Sequence, residues 1–135
     1  MTYYIRYVMT EDDTLIFPQV TEILETISPD YEVDEDVINF KGELIGQIDI
    51  NEPGDGLFEG DIELLTHQAE GMQTRDIIRT ELGKAQIMLV VRVLGADWDA
   101  SMDAVEPLFD WFLANHPGLL AIEGGEFWNT TGRLL

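Results

Sequence analysis

Residues 86–122 read QIMLVVRVLGADWDASMDAVEPLFDWFLANHPGLLAI. The apolar run Ile87–Val91 predicts a strand that is buried on both faces. A helical pattern follows and continues to about Asn115, with Asp99 or Ser101 as the candidate N-cap. A second apolar strand ends the stretch. This order of strand, helix and strand predicts a right-handed crossover between two parallel strands.

Three more strands are predicted nearer the N-terminus, at Tyr3–Met9, Tyr31–Phe40 and Glu43–Ile50. The last two are separated by Lys41-Gly42, which is typical of a tight turn. Their apolar residues share one parity, as expected for strands with one buried face: Ile38, Phe40, Leu44, Ile48 and Ile50. The sequence therefore predicts a long hairpin whose even-numbered side chains face the core.

Helices are predicted between these strands. Pro18 suits the first turn of a helix that Ser28-Pro29 ends, and Arg75 begins a second helix that extends to about Lys84. Residues 57–70 fit either a strand or a helix, and Gly60 argues against the helix. Because the segment is long for a strand, we predict a helix there.

The order of elements predicts one α+β domain that spans residues 1–135. We expect a mixed, largely antiparallel sheet with the helices packed mainly on one face, in a broadly ferredoxin-like arrangement. The chain ends with a predicted strand at Leu119–Ile122, a Gly124-Gly125 turn and a short edge strand at Phe127-Trp128. The oligomeric state is left open.

The charge of the chain restricts its partners. The chain has 27 acidic and 7 basic residues, which gives a formal charge of −20, and residues 1–63 contain 17 of the acids but only two of the bases. Such a field repels phosphate backbones and anionic lipid headgroups, so we expect no nucleic-acid or membrane partner. A basic protein is the class of partner that it attracts, whereas solubility alone is the alternative explanation.

Four acids spaced by two form the candidate partner-binding set: Asp30, Glu32, Asp34 and Asp36. On one strand they would line a single face at intervals of about 6–7 Å. Carboxylates also bind calcium, but the spacing of glycine and glutamate that defines a calcium loop is missing here. We therefore predict no metal site and interpret these acids as a docking surface or as protection of a sheet edge.

Two arginines form an alternative candidate site. Arg6 and Arg92 each interrupt an apolar strand, and arginine is rarely buried without a partner. If the two strands are neighbours, the guanidinium groups could form an anion-binding pocket. The alternative is that each arginine pairs with a carboxylate or reaches solvent at a strand end.

Motifs for catalysis or cofactor binding are not found, so we predict no cofactor and no catalytic residues. The chain has no cysteine, which excludes a thiolate nucleophile, a thiolate zinc site and disulfide bonds, and which fits the reducing cytoplasm. Residues Met1–Arg6 lack the pattern of a secretory signal. His116 is interpreted as a helix cap and His67 as an exposed helix residue.

Charge and size together favour a non-enzymatic binding protein for a basic partner, similar in kind to an inhibitor or an immunity protein. The alternative is a protein or enzyme that binds a small anion at a pocket near Arg6 and Arg92.

Overall fold

The computed structural model describes residues 3–135; Met1 and Thr2, which belong to the stretch considered above for a secretory signal, lie outside it. Its elements are, in chain order, β1 (Tyr3–Met9), α1 (Phe17–Ile27), β2 (Tyr31–Asp34), β3 (Val37–Phe40), β4 (Glu43–Asn51), α2 (Leu57–Ala69), α3 (Arg75–Gly83), β5 (Ile87–Val93), α4 (Trp98–Asn115), β6 (Gly118–Ile122), β7 (Glu126–Asn129) and β8 (Gly132–Leu134). Each helix in residues 3–135 is too short or too polar to span a bilayer.

All eight strands form one sheet in the order β2-β3-β4-β5-β1-β6-β7-β8. The α+β class with a largely antiparallel sheet is confirmed, but every described pair of neighbours is antiparallel, so the sheet is not mixed. Strands β5 and β6 both pair antiparallel with β1, which lies between them. They therefore run parallel to each other, as the crossover predicted, but they are not adjacent.

The central strands β4-β5-β1-β6, together with α1 and α4 on one face, are compatible with a ferredoxin-like arrangement. Three additions extend it: the β2–β3 hairpin at one edge, the β7–β8 hairpin at the other, and the α2–α3 pair inserted between β4 and β5.

The helices cover both faces of the sheet, which corrects the expectation that they pack mainly on one. Helices α1 and α4 enclose the larger apolar cluster, whose helical members include Leu24, Phe109 and Phe112. Helices α2 and α3 enclose a second cluster that contains Leu65 and Ile78. The inner strands alternate between the two clusters, and this explains why the 87–91 run is apolar at every position.

The ambiguous 57–70 segment is a helix, as predicted. Phe58, Leu65 and Ala69 lie on its buried face, while Ile62 is partly buried against the same cluster. A Cβ placed on Gly60 would have no neighbour within 4 Å, so this glycine is exposed and fills no special role in packing. Its intrinsic cost of about 1 kcal/mol in a helix is outweighed by the burial of the apolar stripe.

Two local predictions near the N-terminal hairpin are corrected. Residues 31–40 are not one strand, because the chain reverses at Glu35 and Asp36, and Glu35 takes a left-handed φ of 54°. A bulge then places Ile45 as an extra residue in β4, so Leu44 points away from the core and is 42% exposed. The predicted turn at Lys41-Gly42 is confirmed.

Two predictions in the C-terminal third are also corrected. The N-cap of α4 is Asp97, whose side chain accepts a hydrogen bond from the Ala100 amide, and neither Asp99 nor Ser101 fills this role. The edge of the sheet is β8 rather than the predicted strand at Phe127-Trp128, which is an inner strand.

Candidate binding surface

Half of the second sheet face is left uncovered by helices. Helices α2 and α3 pack over side chains of β1, β5, β6, β7 and β8, but not over those of β2, β3 and most of β4. The strand register places one set of side chains on this uncovered area, here called the open half-face: Glu32, Asp34, Val37, Asn39, Leu44, Gln47, Asp49 and Arg92. It is a largely polar β surface at one end of the sheet.

The four acids predicted to bind a partner do not lie on one strand face. Glu32 and Asp34 lie on β2 and are exposed on the open half-face, whereas Asp30 precedes the strand. Asp36 belongs to the β2–β3 turn, where its carboxylate accepts a hydrogen bond of 2.9 Å from the Gln47 side chain. Asp49 on β4 adds a further exposed carboxylate that the spacing of the four acids did not indicate.

No group of three His, Cys, Asp or Glu side chains among residues 3–135 is arranged to hold a metal ion. The carboxylates of the open half-face are spread along two strands instead of converging on one point. Their chemistry is therefore that of an extended acidic surface.

Arg92 lines a cavity of about 290 Å³ that is partly formed by the open half-face. The other lining residues come from four strands or turns and from the start of α1: Tyr4, Phe17, Asp36, Gln47, Ile48, Asp49 and Val90. Within the described chain, no carboxylate oxygen lies within 4.0 Å of the Arg92 guanidinium, and its buried Nε atom has no hydrogen-bond partner. The charge of Arg92 is thus not neutralised by a direct contact in the region that the structure describes.

Arg6 is a neighbour of Arg92 but has a different environment. Both project from the second sheet face, since Arg6 lies opposite Val90 and Arg92 lies opposite Tyr4. Arg6 is 7% exposed, and its guanidinium lies 3.4 Å from Asp61 and 3.9 Å from Glu123. The Tyr4 ring packs against it, 5.0 Å from ring centroid to guanidinium carbon. Arg6 is therefore held by two carboxylates of its own chain, and an anion site here would depend on Arg92.

A pair that the sequence analysis missed joins His116 to Asp12, with 2.6 Å between Nδ1 and the carboxylate. The two residues line a cleft of about 380 Å³ next to Trp111, but no hydroxyl group among the described residues hydrogen-bonds to the imidazole. The pair lacks the nucleophile that a catalytic triad requires. It ties the loop after β1 to the end of α4, and its separation of 104 positions left no local signal.

Comparisons with known proteins found no match: no protein-family model fits the chain, and no curated protein or solved structure resembles it closely enough to be identified. The geometry and charge of the open half-face are therefore the basis for proposing a function.

Proposed function

We propose that this chain is a non-enzymatic binding protein that docks a basic protein partner on its open half-face, in the manner of an inhibitor or an immunity protein. One observation carries the proposal: the helices leave half of a sheet face bare, and exposed carboxylates of Glu32, Asp34 and Asp49 project from it. A preformed sheet loses little conformational entropy when it binds, which favours affinity.

The distribution of basic residues supports the same proposal. Residues 1–63 have two bases against 17 acids, and one of these bases, Arg6, is buried in its own ion pairs. Arg92 adds one positive charge to the open half-face, against the three negative charges of Glu32, Asp34 and Asp49, so the net charge of this surface is negative. Its negative potential steers a basic partner toward the surface and raises the association rate. The absence of cysteine is compatible with a cytoplasmic setting for this encounter.

The test combines capture with two matched variants. E32Q/D34N removes two carboxylates from the open half-face, whereas E63Q/D103N removes the same two charges from exposed positions on α2 and α4. Tagged wild type and both variants are incubated with host lysate at low and high salt, and retained proteins are identified by mass spectrometry.

We expect a basic protein that wild type and E63Q/D103N retain at low salt and that E32Q/D34N releases. With the purified partner, E32Q/D34N should lower the association rate several-fold and flatten its salt dependence, because the steering charges are gone. Equal behaviour of the two double variants would place any docking site elsewhere, and a partner that is acidic or insensitive to salt would contradict the proposal.

A second candidate function, recognition of a small anionic group, is favoured by one specific observation. Arg92 presents a guanidinium without a carboxylate partner among the described residues, and it does so in a cavity. Guanidinium groups bind carboxylates and phosphates through two parallel hydrogen bonds. Binding of a small carboxylate, either propionate or L-alanine, by wild type but not by R92Q, measured by calorimetry, would support this candidate; equal heats from wild type and R92Q with both ligands would eliminate it.

A further inference from the structure

The Arg92 cavity contains charges of both signs that do not meet. Asp49 lies opposite Val90, and Arg92 lies opposite Gln47, so Asp49 and Arg92 are diagonal neighbours on one sheet face. Such neighbours have Cα atoms about 7–8 Å apart, within the reach of long side chains. Within residues 3–135, however, no carboxylate oxygen of Asp49 or Asp36 lies within 4.0 Å of the guanidinium. A gap lined by opposite charges therefore remains in the cavity.

The sign of these charges selects the ligand. A simple anion that approached Arg92 would also face the carboxylates of Asp36 and Asp49, and a simple cation would face the guanidinium. A ligand that carries a positive and a negative group a short distance apart can pair with the carboxylates through one group and with Arg92 through the other. The overall charge of −20 further disfavours a ligand with net negative charge.

We infer that the Arg92 cavity binds a small free α-amino acid with a neutral side chain. The α-carboxylate pairs with the Arg92 guanidinium, the ammonium group pairs with Asp49, and the side chain lies against the rings of Tyr4 and Phe17. This inference deepens the second candidate function and rests on it; it is independent of protein docking through Glu32 and Asp34.

Size and geometry agree with this ligand class. Charge-assisted hydrogen bonds between nitrogen and oxygen are about 2.7–2.9 Å long. A ligand that binds between the Arg92 guanidinium and the Asp49 carboxylate therefore needs these two groups to lie several ångströms apart. The absence of a direct contact leaves that space. The cavity volume of about 290 Å³ lies at the lower end of ligand pockets, which typically measure about 300–1,000 Å³, and this favours a small molecule. Gln47 is already engaged with Asp36, so it helps to hold this wall in place.

The test uses ligands that differ by one charged group. L-Alanine is compared with propionate, which lacks the ammonium group, and with ethylamine, which lacks the carboxylate. L-Phenylalanine, 3-phenylpropionate and phenethylamine form a second series with a larger side chain. Binding to the full chain is measured by titration calorimetry and by amide shifts in two-dimensional NMR spectra.

We expect an amino acid to bind more tightly than both of its single-charge analogues, with amide shifts confined to the surroundings of Arg92 and Asp49. R92Q and D49N should each weaken binding about tenfold or more, because each removes one charge-assisted contact. R79Q and D103N change the same charges at exposed helix positions and should bind as wild type does. R92K keeps the charge but loses the forked geometry, so it should bind weakly while it remains folded.

The outcomes separate the two levels of the proposal. If propionate binds as tightly as L-alanine and R92Q abolishes both, Arg92 recognises anions and the amino-acid inference is overturned. If neither series binds to wild type at millimolar concentration, both the inference and the second candidate function fail. Either result leaves the docking proposal intact, because that proposal is tested with E32Q/D34N.

Discussion

Replacing Asp61 by asparagine tests the assignment of Arg6 to the interior. Asp61 is the nearer of two carboxylates that face the Arg6 guanidinium, at 3.4 Å, while Glu123 lies at 3.9 Å. Removing one partner of a fully buried ion pair costs about 3–5 kcal/mol, because the other charge is left without compensation. Here Glu123 remains, the Asp61 side chain is 20% exposed, and the new amide retains one acceptor oxygen. We therefore expect D61N to lose about 2 kcal/mol, which is less than the loss for a fully buried pair.

The assay is urea unfolding of wild type, D61N, R6M and R6M/D61N, with E63Q as the control on the same helix. E63Q also removes one negative charge, so it corrects for the relief of repulsion that any neutralised acid brings to a strongly acidic chain. A loss of about 2 kcal/mol corresponds to a fall in Tm of about 7 °C for a domain of this size. R6M/D61N should be more stable than D61N, because methionine leaves no buried charge. If D61N is as stable as E63Q, Arg6 is not held as the structure describes.

Three further changes test single contacts. G118A places a Cβ against the backbone oxygen of Val8, closer than van der Waals contact allows, so urea unfolding should show a loss of about 2–3 kcal/mol. A loss no larger than that of an ordinary surface substitution would contradict the close approach of β1 and β6. Y7F removes a buried hydroxyl group that donates to backbone carbonyls at the end of α4 and should cost about 1–2 kcal/mol at neutral pH. Burial raises the pKa of Tyr7 above its ordinary value near 10, so the stability that its hydroxyl group contributes is present below pH 10 and declines as the pH rises further. Y7F should therefore lose less stability than wild type does as the pH rises above 10. An equal loss in both proteins would show that the burial of Tyr7 is not its cause. D97A should lower the free energy of unfolding by about 1 kcal/mol, because Asp97 caps α4, and D99A should lower it by less. Thermal unfolding measures both changes, and a larger loss for D99A would show that Asp99 is the cap instead.

The parts of the fold that could be predicted depend on contacts between residues near one another in the chain. The helix at 57–70 follows from the spacing of Phe58, Leu65 and Ala69, and the turn at Lys41-Gly42 follows from glycine's tolerance of positive φ. The reversal at Glu35 was missed because neither Glu35 nor Asp36 gives the usual signal of a tight turn. The bulge at Ile45 was missed because Leu44, Ile48 and Ile50 are all even-numbered, a pattern that is equally expected of a regular strand without an inserted residue.

The sequence could indicate which residues belong to the candidate site, but not which of them lie together in the fold. An arginine inside an apolar strand is a signal that sequence alone provides, and it selected both Arg6 and Arg92. Which of them is neutralised depends on Asp61 and Glu123, which lie 55 and 117 positions from Arg6 and meet it through the packing of α2 and the end of β6. Asp49 joins Arg92 through strand register, which no local pattern specifies.

The sequence by itself determined the α+β class, the acidic surface and most of the helices, because composition and short-range periodicity reflect burial and backbone preference directly. The tertiary structure alone decided that the helices divide between two faces, that half of one face stays open, and that Arg92 rather than Arg6 lacks a carboxylate partner in the described chain. These features arise from contacts between residues far apart in the chain, where the register of the strands and the placement of α2 and α3 determine which charges meet.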